Sequence, residues 1–179
     1  MAGNDTTVSV ARSVRIALAA LLVNGCTQPA MPTVAQLDID RFMGRWYVQA
    51  SIPTFLERGA HNAVETYRRD TDGTIHTTFT FRRDAFDGEL VEYKPRGFVT
   101  AESPTVWGMQ FVWPIKTEYR IVYLAPDYSQ TVIGRTKRDY VWLMGRTSDL
   151  APADYDRFLT LIGELGYDTT RVERIPQRW

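Results

Sequence analysis

Few side chains in this sequence can do covalent chemistry, and their spacing narrows it further. Cys26 is the only cysteine; it ends Val23-Asn24-Gly25-Cys26, just behind the apolar run Ile16 to Val23. His61 and His76 are the only histidines. The chain has no Gly-x-Ser-x-Gly, no His-Glu-x-x-His and no phosphate-binding glycine loop, so no activated nucleophile is written into it. An enzyme is not the expectation, nor is a metal site or a cofactor. What remains is recognition chemistry. Trp46 stands two residues after Gly44, where the backbone can turn tightly into a strand. Its indole can plug the bottom of a rolled sheet, and the distant Arg146 can lay a guanidinium over the ring, a contact worth ~0.5–2 kcal/mol. Glu65 is a carboxylate in a segment whose alternation sends it inward. Buried, it must be paired or protonated.

Strands must position these residues. Strand-like segments run over 46–52, 61–69, 74–83, 89–100, 105–113, 117–125, 129–136 and 139–147. Turn chemistry separates most of them, at Asp72-Gly73, Asp87-Gly88, Ser103-Pro104, Pro114 and Pro126-Asp127. Eight sequential strands on short turns predict an all-β fold, an eight-stranded antiparallel up-and-down β-barrel whose closure removes its edges. One helical turn over 37–43 precedes the first strand, and a long loop follows Pro53. After Pro152 the period changes: Tyr155, Phe158, Leu159, Ile162 and Leu165 share one helical face. This C-terminal α-helix is expected to pack outside the barrel, and a short strand at 171–175 is placed to pair with the first.

Alternation then sorts the side chains. Trp107, Met109, Phe111 and Trp113 share one face; so do Ile75, Thr77, Phe79 and Phe81; so do Tyr119, Ile121 and Tyr123; so do Tyr140, Trp142 and Met144. Tyr67 and Tyr93 point the same way, while His76 and Gln110 point out. The interior is ring-rich, and it is either a filled core or a cavity for one small ligand. Segments of nine to twelve residues at ~3.3 Å each exceed what one core layer needs and favour the cavity. The expected ligand-facing set is Glu65, Tyr67, Phe79, Tyr93, Trp107, Met109, Phe111, Tyr119, Tyr123, Tyr140 and Trp142. Glu65 has three readings: contact with a polar headgroup, a bond to a Tyr hydroxyl, or a strand bulge that turns it out.

The 179 residues suit one domain. Lys+Arg and Asp+Glu balance at 21 each with no basic block, so no nucleic-acid partner is expected. Arg12 and Arg15 ahead of the apolar run read as a processing segment, too short for the ~20 residues that span a bilayer. The divisions are residues 1–25 as signal peptide, 26–36 as a tether carrying Pro29 and Pro32, and 37–179 as the domain. With Cys26 outside it, that domain has no internal disulfide.

Gly44-x-Trp46, Phe55-Leu56-Glu57-Arg58-Gly59, Arg138-Asp139-Tyr140 and Met144-Gly145-Arg146-Thr147, with the strand train and closing helix, carry a resemblance to the lipocalins over about Leu37 to Pro176. More narrowly the chain resembles the bacterial outer-membrane lipoprotein lipocalins. Gly25-Cys26 resembles their lipobox, although Asn24 departs from it; an ordinary secretory signal with an incidental cysteine is the other reading. The resemblance implies that the Cys26 thiol is lipidated, that Thr27 permits outer-membrane sorting, and that the barrel faces the periplasm. It also implies carriage of fatty acids, lysophospholipids or similar amphiphiles in membrane maintenance or stress. A structural or assembly lipoprotein with a filled barrel is the alternative, and a homodimer is left open. Isomerases elsewhere among the lipocalins use a thiol that this domain lacks.

Overall fold

A computed structural model describes residues 1, 30–100 and 103–179. Cys26 and the leader ahead of it lie outside the described residues. The strands are β1 (Gly44–Ile52), β2 (Ala60–Arg69), β3 (Ile75–Arg83), β4 (Leu90–Tyr93), β5 (Arg96–Val99), β6 (Val106–Val112), β7 (Ile115–Leu124), β8 (Gln130–Gly134), β9 (Val141–Gly145) and β10 (Glu173–Arg174). The segment expected as one strand over 89–100 is broken at Lys94-Pro95, because proline has no N–H for the ladder. β4 and β5 both pair with β3 and form a single wall. Each wall is antiparallel to the next, and β9 returns to β1, with Tyr47 opposite Gly145 and Ile52 opposite Val141. The sheet is therefore a closed eight-walled barrel. β10 adds to β1 through Ala50–Arg174 and Ser51–Glu173.

The alternating pattern explains which side fills the core. On β3, Ile75, Thr77, Phe79 and Phe81 are buried while His76, Thr78 and Thr80 are only partly covered. Full burial of each large apolar side chain is worth ~1.5–3 kcal/mol. The turns obey local chemistry as well. Asp72 accepts from the Thr74 backbone N–H at 3.0 Å and from its hydroxyl at 2.6 Å, and Gly73 takes φ +81° between them.

One end of the barrel is shut. The short helix α1 (Ile39–Phe42) is capped by Asp38, which accepts from Arg41 N at 3.0 Å, and it drives the Phe42 ring into the lumen. Trp46 is fully buried beside it and donates its indole N–H to Phe42 O at 2.9 Å. The Arg146 guanidinium lies 3.8 Å from the Trp46 ring centre. Its Nη1 donates to Arg45 O at 2.8 Å, and its Nη2 donates to Arg41 O at 2.9 Å and Phe42 O at 3.1 Å. Arg146 thus supplies the donors that the last carbonyls of α1 lack. Gly44 opens β1 at φ +92°, a left-handed backbone that glycine adopts without strain.

Helix α2 (Pro152–Glu164) opens on Pro152 and lies on the outer wall. Its Phe158 and Ile162 pack with Ala50, Ile52, Val132, Val141 and Leu143. Arg138 caps the far end by donating to Leu165 O at 2.7 Å. Met31 is buried in the same outer cluster, and Val34 N donates to Ile121 O at 3.0 Å. The chain ahead of α1 is thereby held against the barrel.

Candidate functional site

Three layers line the interior. The floor is a cluster of rings: Phe42 centres lie 4.9 Å from Trp46, 5.7 Å from Tyr67 and 5.6 Å from Trp107, and Trp107 stacks on Tyr119 at 5.2 Å. The Tyr67 and Tyr119 hydroxyls bond one another at 2.5 Å. These rings satisfy each other and act as packing. Next to them come Met109, Phe79 and Tyr93, the last two stacked with centres 6.4 Å apart, and the buried Glu65 opposite Phe79 on β3. At the open end Phe111, Tyr140 and Trp142 meet the loop between β1 and β2.

That loop contributes what the strand pattern could not locate. Thr54, Phe55, Leu56 and Glu57 join Phe111, Val112, Ile115, Thr117, Arg135, Tyr140 and Trp142 around an apolar pocket of about 240 Å³. The volume exceeds the ~150 Å³ of an apolar cavity that holds benzene, and it falls below the ~300 Å³ at which drug-sized sites begin. Its outer edge is apolar too. Phe55 is 75% exposed, Trp113 83%, and Val112 and Ile115 are exposed beside them.

Two sequence expectations change here. Tyr123 does not face the lumen. The β7–β8 register slips between Ile121 and Tyr123, so Ile121 opposes Ile133 while Tyr123 opposes Val132. The extra residue turns Tyr123 outward, where its ring meets Phe158 at 5.4 Å beneath α2. Trp113 does not continue the inward face of β6 either, because it lies in the turn between β6 and β7 at the mouth. The bulge considered for Glu65 does occur in β2, between His61 and Val64, but it precedes Glu65 and leaves it inside.

Glu57 and Glu65 dominate the electrostatics. Glu57 is 6% exposed; both its oxygens accept from the Trp142 indole N–H at 3.2 Å, and Oε2 also accepts from Thr54 N at 3.0 Å. Burial raises its pKa, and those hydrogen bonds pull it partly back. Glu65 is 7% exposed, and its Oε2 has no hydrogen-bond partner. Burial, and then the charge of Glu57, push its pKa up to about 8. The Tyr119 hydroxyl is raised well above its ordinary range by burial and by Glu65. Arg135 lines the pocket and is paired with Asp139 at 3.3 Å. Among the described residues no cluster of metal-ligating side chains occurs.

The arrangement can hold an apolar body against aromatic walls beside the buried carboxyl of Glu57. Known proteins fit this description in fold. Solved structures with similar backbones include the cockroach allergen Per a 4 (TM-score 0.62, 14% identity, 82% of this chain and 92% of that one) and lobster apocrustacyanin A1 (TM-score 0.61, 17% identity, 79% and 81%). In sequence, temperature-induced lipocalin-1 of Arabidopsis thaliana is 29% identical over 154 residues, covering 82% of this chain and 83% of its own. The outer membrane lipoprotein Blc of Vibrio cholerae is 25% identical over 171 residues, covering 93% and 99%. The family described as the lipocalin-like domain matches residues 37–177, and the chain belongs to that family.

Proposed function

We propose that this lipocalin binds the apolar portion of an amphiphile at the open end of its barrel, and that its work is carriage or retention rather than catalysis. The observation that carries the reading is the mouth pocket, where Trp142 and Phe111 wall an apolar space beside the buried carboxyl of Glu57. Fatty acids and lysophospholipids are the natural candidates, in membrane maintenance or stress. The ~240 Å³ pocket takes one end of such a molecule and leaves the rest against the exposed Phe55, Trp113 and Ile115. Each methylene removed from water contributes up to ~0.8 kcal/mol, reduced by the cost of ordering the chain. Similarity to an outer membrane lipoprotein supports a periplasm-facing site on the outer membrane, with Cys26 as the lipidated residue. Pairing of two copies remains compatible with it.

Titration of the full chain with fatty acid or lysophospholipid, read by tryptophan fluorescence, tests this. The expected signal saturates at one ligand per barrel, because Trp142 lies in the pocket wall. A linear, unsaturable response would reject the site. The ring-packed floor favours a second reading, a filled structural barrel; that reading predicts no binding.

A further inference from the structure

We infer that the tip of the β6–β7 hairpin and Phe55 form a rim that enters a lipid bilayer, so that the barrel exchanges its guest with a membrane by contact rather than through water. The inference goes beyond the amphiphile reading. It rests on that reading for the guest, and on the rim alone for the contact.

Phe111, Val112, Trp113, Pro114 and Ile115 are successive apolar residues, and every one is exposed. Such a run in water promotes aggregation unless it serves a contact. The tip also stands clear of its neighbours: β6 pairs with β5 no further than Gln110, and β7 pairs with β8 no further than Arg120. Val112 and Ile115 edge the mouth pocket yet keep most of their surface outside it, and Trp113 takes no part in the pocket wall. One guest chain covers one side of this projection, whereas hydrocarbon surrounds it.

A fluid medium suits a projecting tip better than a protein partner does, because a stable protein contact needs a shaped surface of ~1,000 Å² or more. Trp113 is the residue type found where hydrocarbon meets water, an apolar ring with one N–H donor. Charge is placed to match. Arg58, Lys116 and Lys137 are exposed on the segments that carry or flank the rim, where lipid phosphates would meet them. The acidic Asp84, Asp87 and Glu89 sit together on the loop between β3 and β4, which gives no residue to the pocket wall. The mouth therefore meets a bilayer on its hairpin side, with the acidic loop turned away. The proposed anchor acts in the same direction. Cys26 precedes the buried Met31 by five residues, at most ~18 Å of chain, so an acylated Cys26 keeps the barrel beside the membrane.

The test adds the full chain to phosphatidylcholine vesicles whose acyl chains carry bromine, which quenches only those indoles that touch hydrocarbon. Emission is expected to fall relative to unbrominated vesicles. Trp113→Phe should remove about half of that fall or more, while Trp179→Phe, whose ring lies on the outer wall against Tyr47, leaves it as it is. Attachment through the N-terminal anchor alone would leave Trp113 unquenched. A Trp113→Phe protein quenched as strongly as the wild type would report only a brominated lipid beside Trp142 inside the barrel. Either result overturns the rim, as does a dimer without vesicles that Trp113→Ser disperses in sedimentation, because a second copy then covers it. Where fatty acid still titrates in water, the amphiphile site survives that outcome; where it does not, both readings fall.

Discussion

Glu65 sets a pH dependence of stability with a definite sign. In the unfolded chain its carboxyl titrates near the ordinary 4.5, and in the barrel near 8. Below about pH 4.5 both states hold the proton and the residue costs nothing. Between those values the unfolded chain releases the proton and the folded one keeps it, so stability falls as pH rises. Above about 8 both are ionised and the loss is complete. At ~1.36 kcal/mol for each pH unit in that interval, the full loss approaches about 5 kcal/mol, comparable to the whole stability of a marginal domain. Glu57, raised by burial, acts in the same direction. The groups facing Glu65 are Glu57 from the mouth loop, Tyr67 on its own strand and Tyr119 on β7; the raised Tyr119 titrates only in strong alkali. Asp72, Asp127 and Asp168 are lowered by neighbouring hydroxyl and backbone donors and act in acid, where they remove stability as pH falls.

Urea unfolding between pH 5 and 9, followed by tryptophan fluorescence, should show a midpoint that drops steadily with pH and then levels off. Glu65→Gln keeps the shape of the side chain and removes the titration. It should flatten most of the slope and raise the midpoint most at pH 8 to 9. A Glu65→Gln protein that keeps the wild-type slope, or a wild type whose stability rises from pH 5 to 8, would refute the placement of Glu65 in the lumen.

The base of the barrel gives a second expectation. Trp46→Ala should destabilise by ~3–5 kcal/mol through the space it leaves, and Arg146→Ala should also lower the melting temperature because the Arg41 and Arg45 carbonyls lose its donors and Phe42 O keeps only the Trp46 indole. Neither should alter ligand preference, and a changed preference would mean the base is not separate from the site. A third contrast sets Phe111→Ala, which should weaken ligand binding severalfold, against Tyr123→Ala, which should lower stability through lost packing on Phe158 and leave binding intact; affinity and melting curves read both. Last, Cys26→Ser should move the protein from the membrane fraction to the soluble periplasm with its barrel intact. Retention in the membrane without acylation would remove the anchor assignment.

The fold was legible because its signals are local and repeat. Alternation marks every wall, turn residues mark nearly every junction, and the period change after Pro152 marks α2. The fourth wall's break also has a local cause, Pro95 between β4 and β5. What alternation could not supply is register. The slip at Val122 reverses the outlook of Tyr123, and nothing in the composition of Tyr119 to Leu124 announces it. Bulges arise from how a closing sheet meets its neighbours, which is a property of two strands at once.

The site was less legible for a related reason. Its walls are half strand and half loop, and a loop has no period to read. Glu57 lies within Phe55-Leu56-Glu57-Arg58-Gly59, yet only the fold reveals that both its oxygens meet the Trp142 indole and that its charge reaches Glu65. Strand length also misled. Long segments argued for a deep cavity, but β8 and β9 are five residues each, and the Phe42 ring from α1 occupies the bottom. A helix of four residues thus decides how much of the barrel is hollow. By filling the floor with mutually satisfied rings, it leaves the mouth, where Glu57 lies against Trp142, as the open part of the barrel.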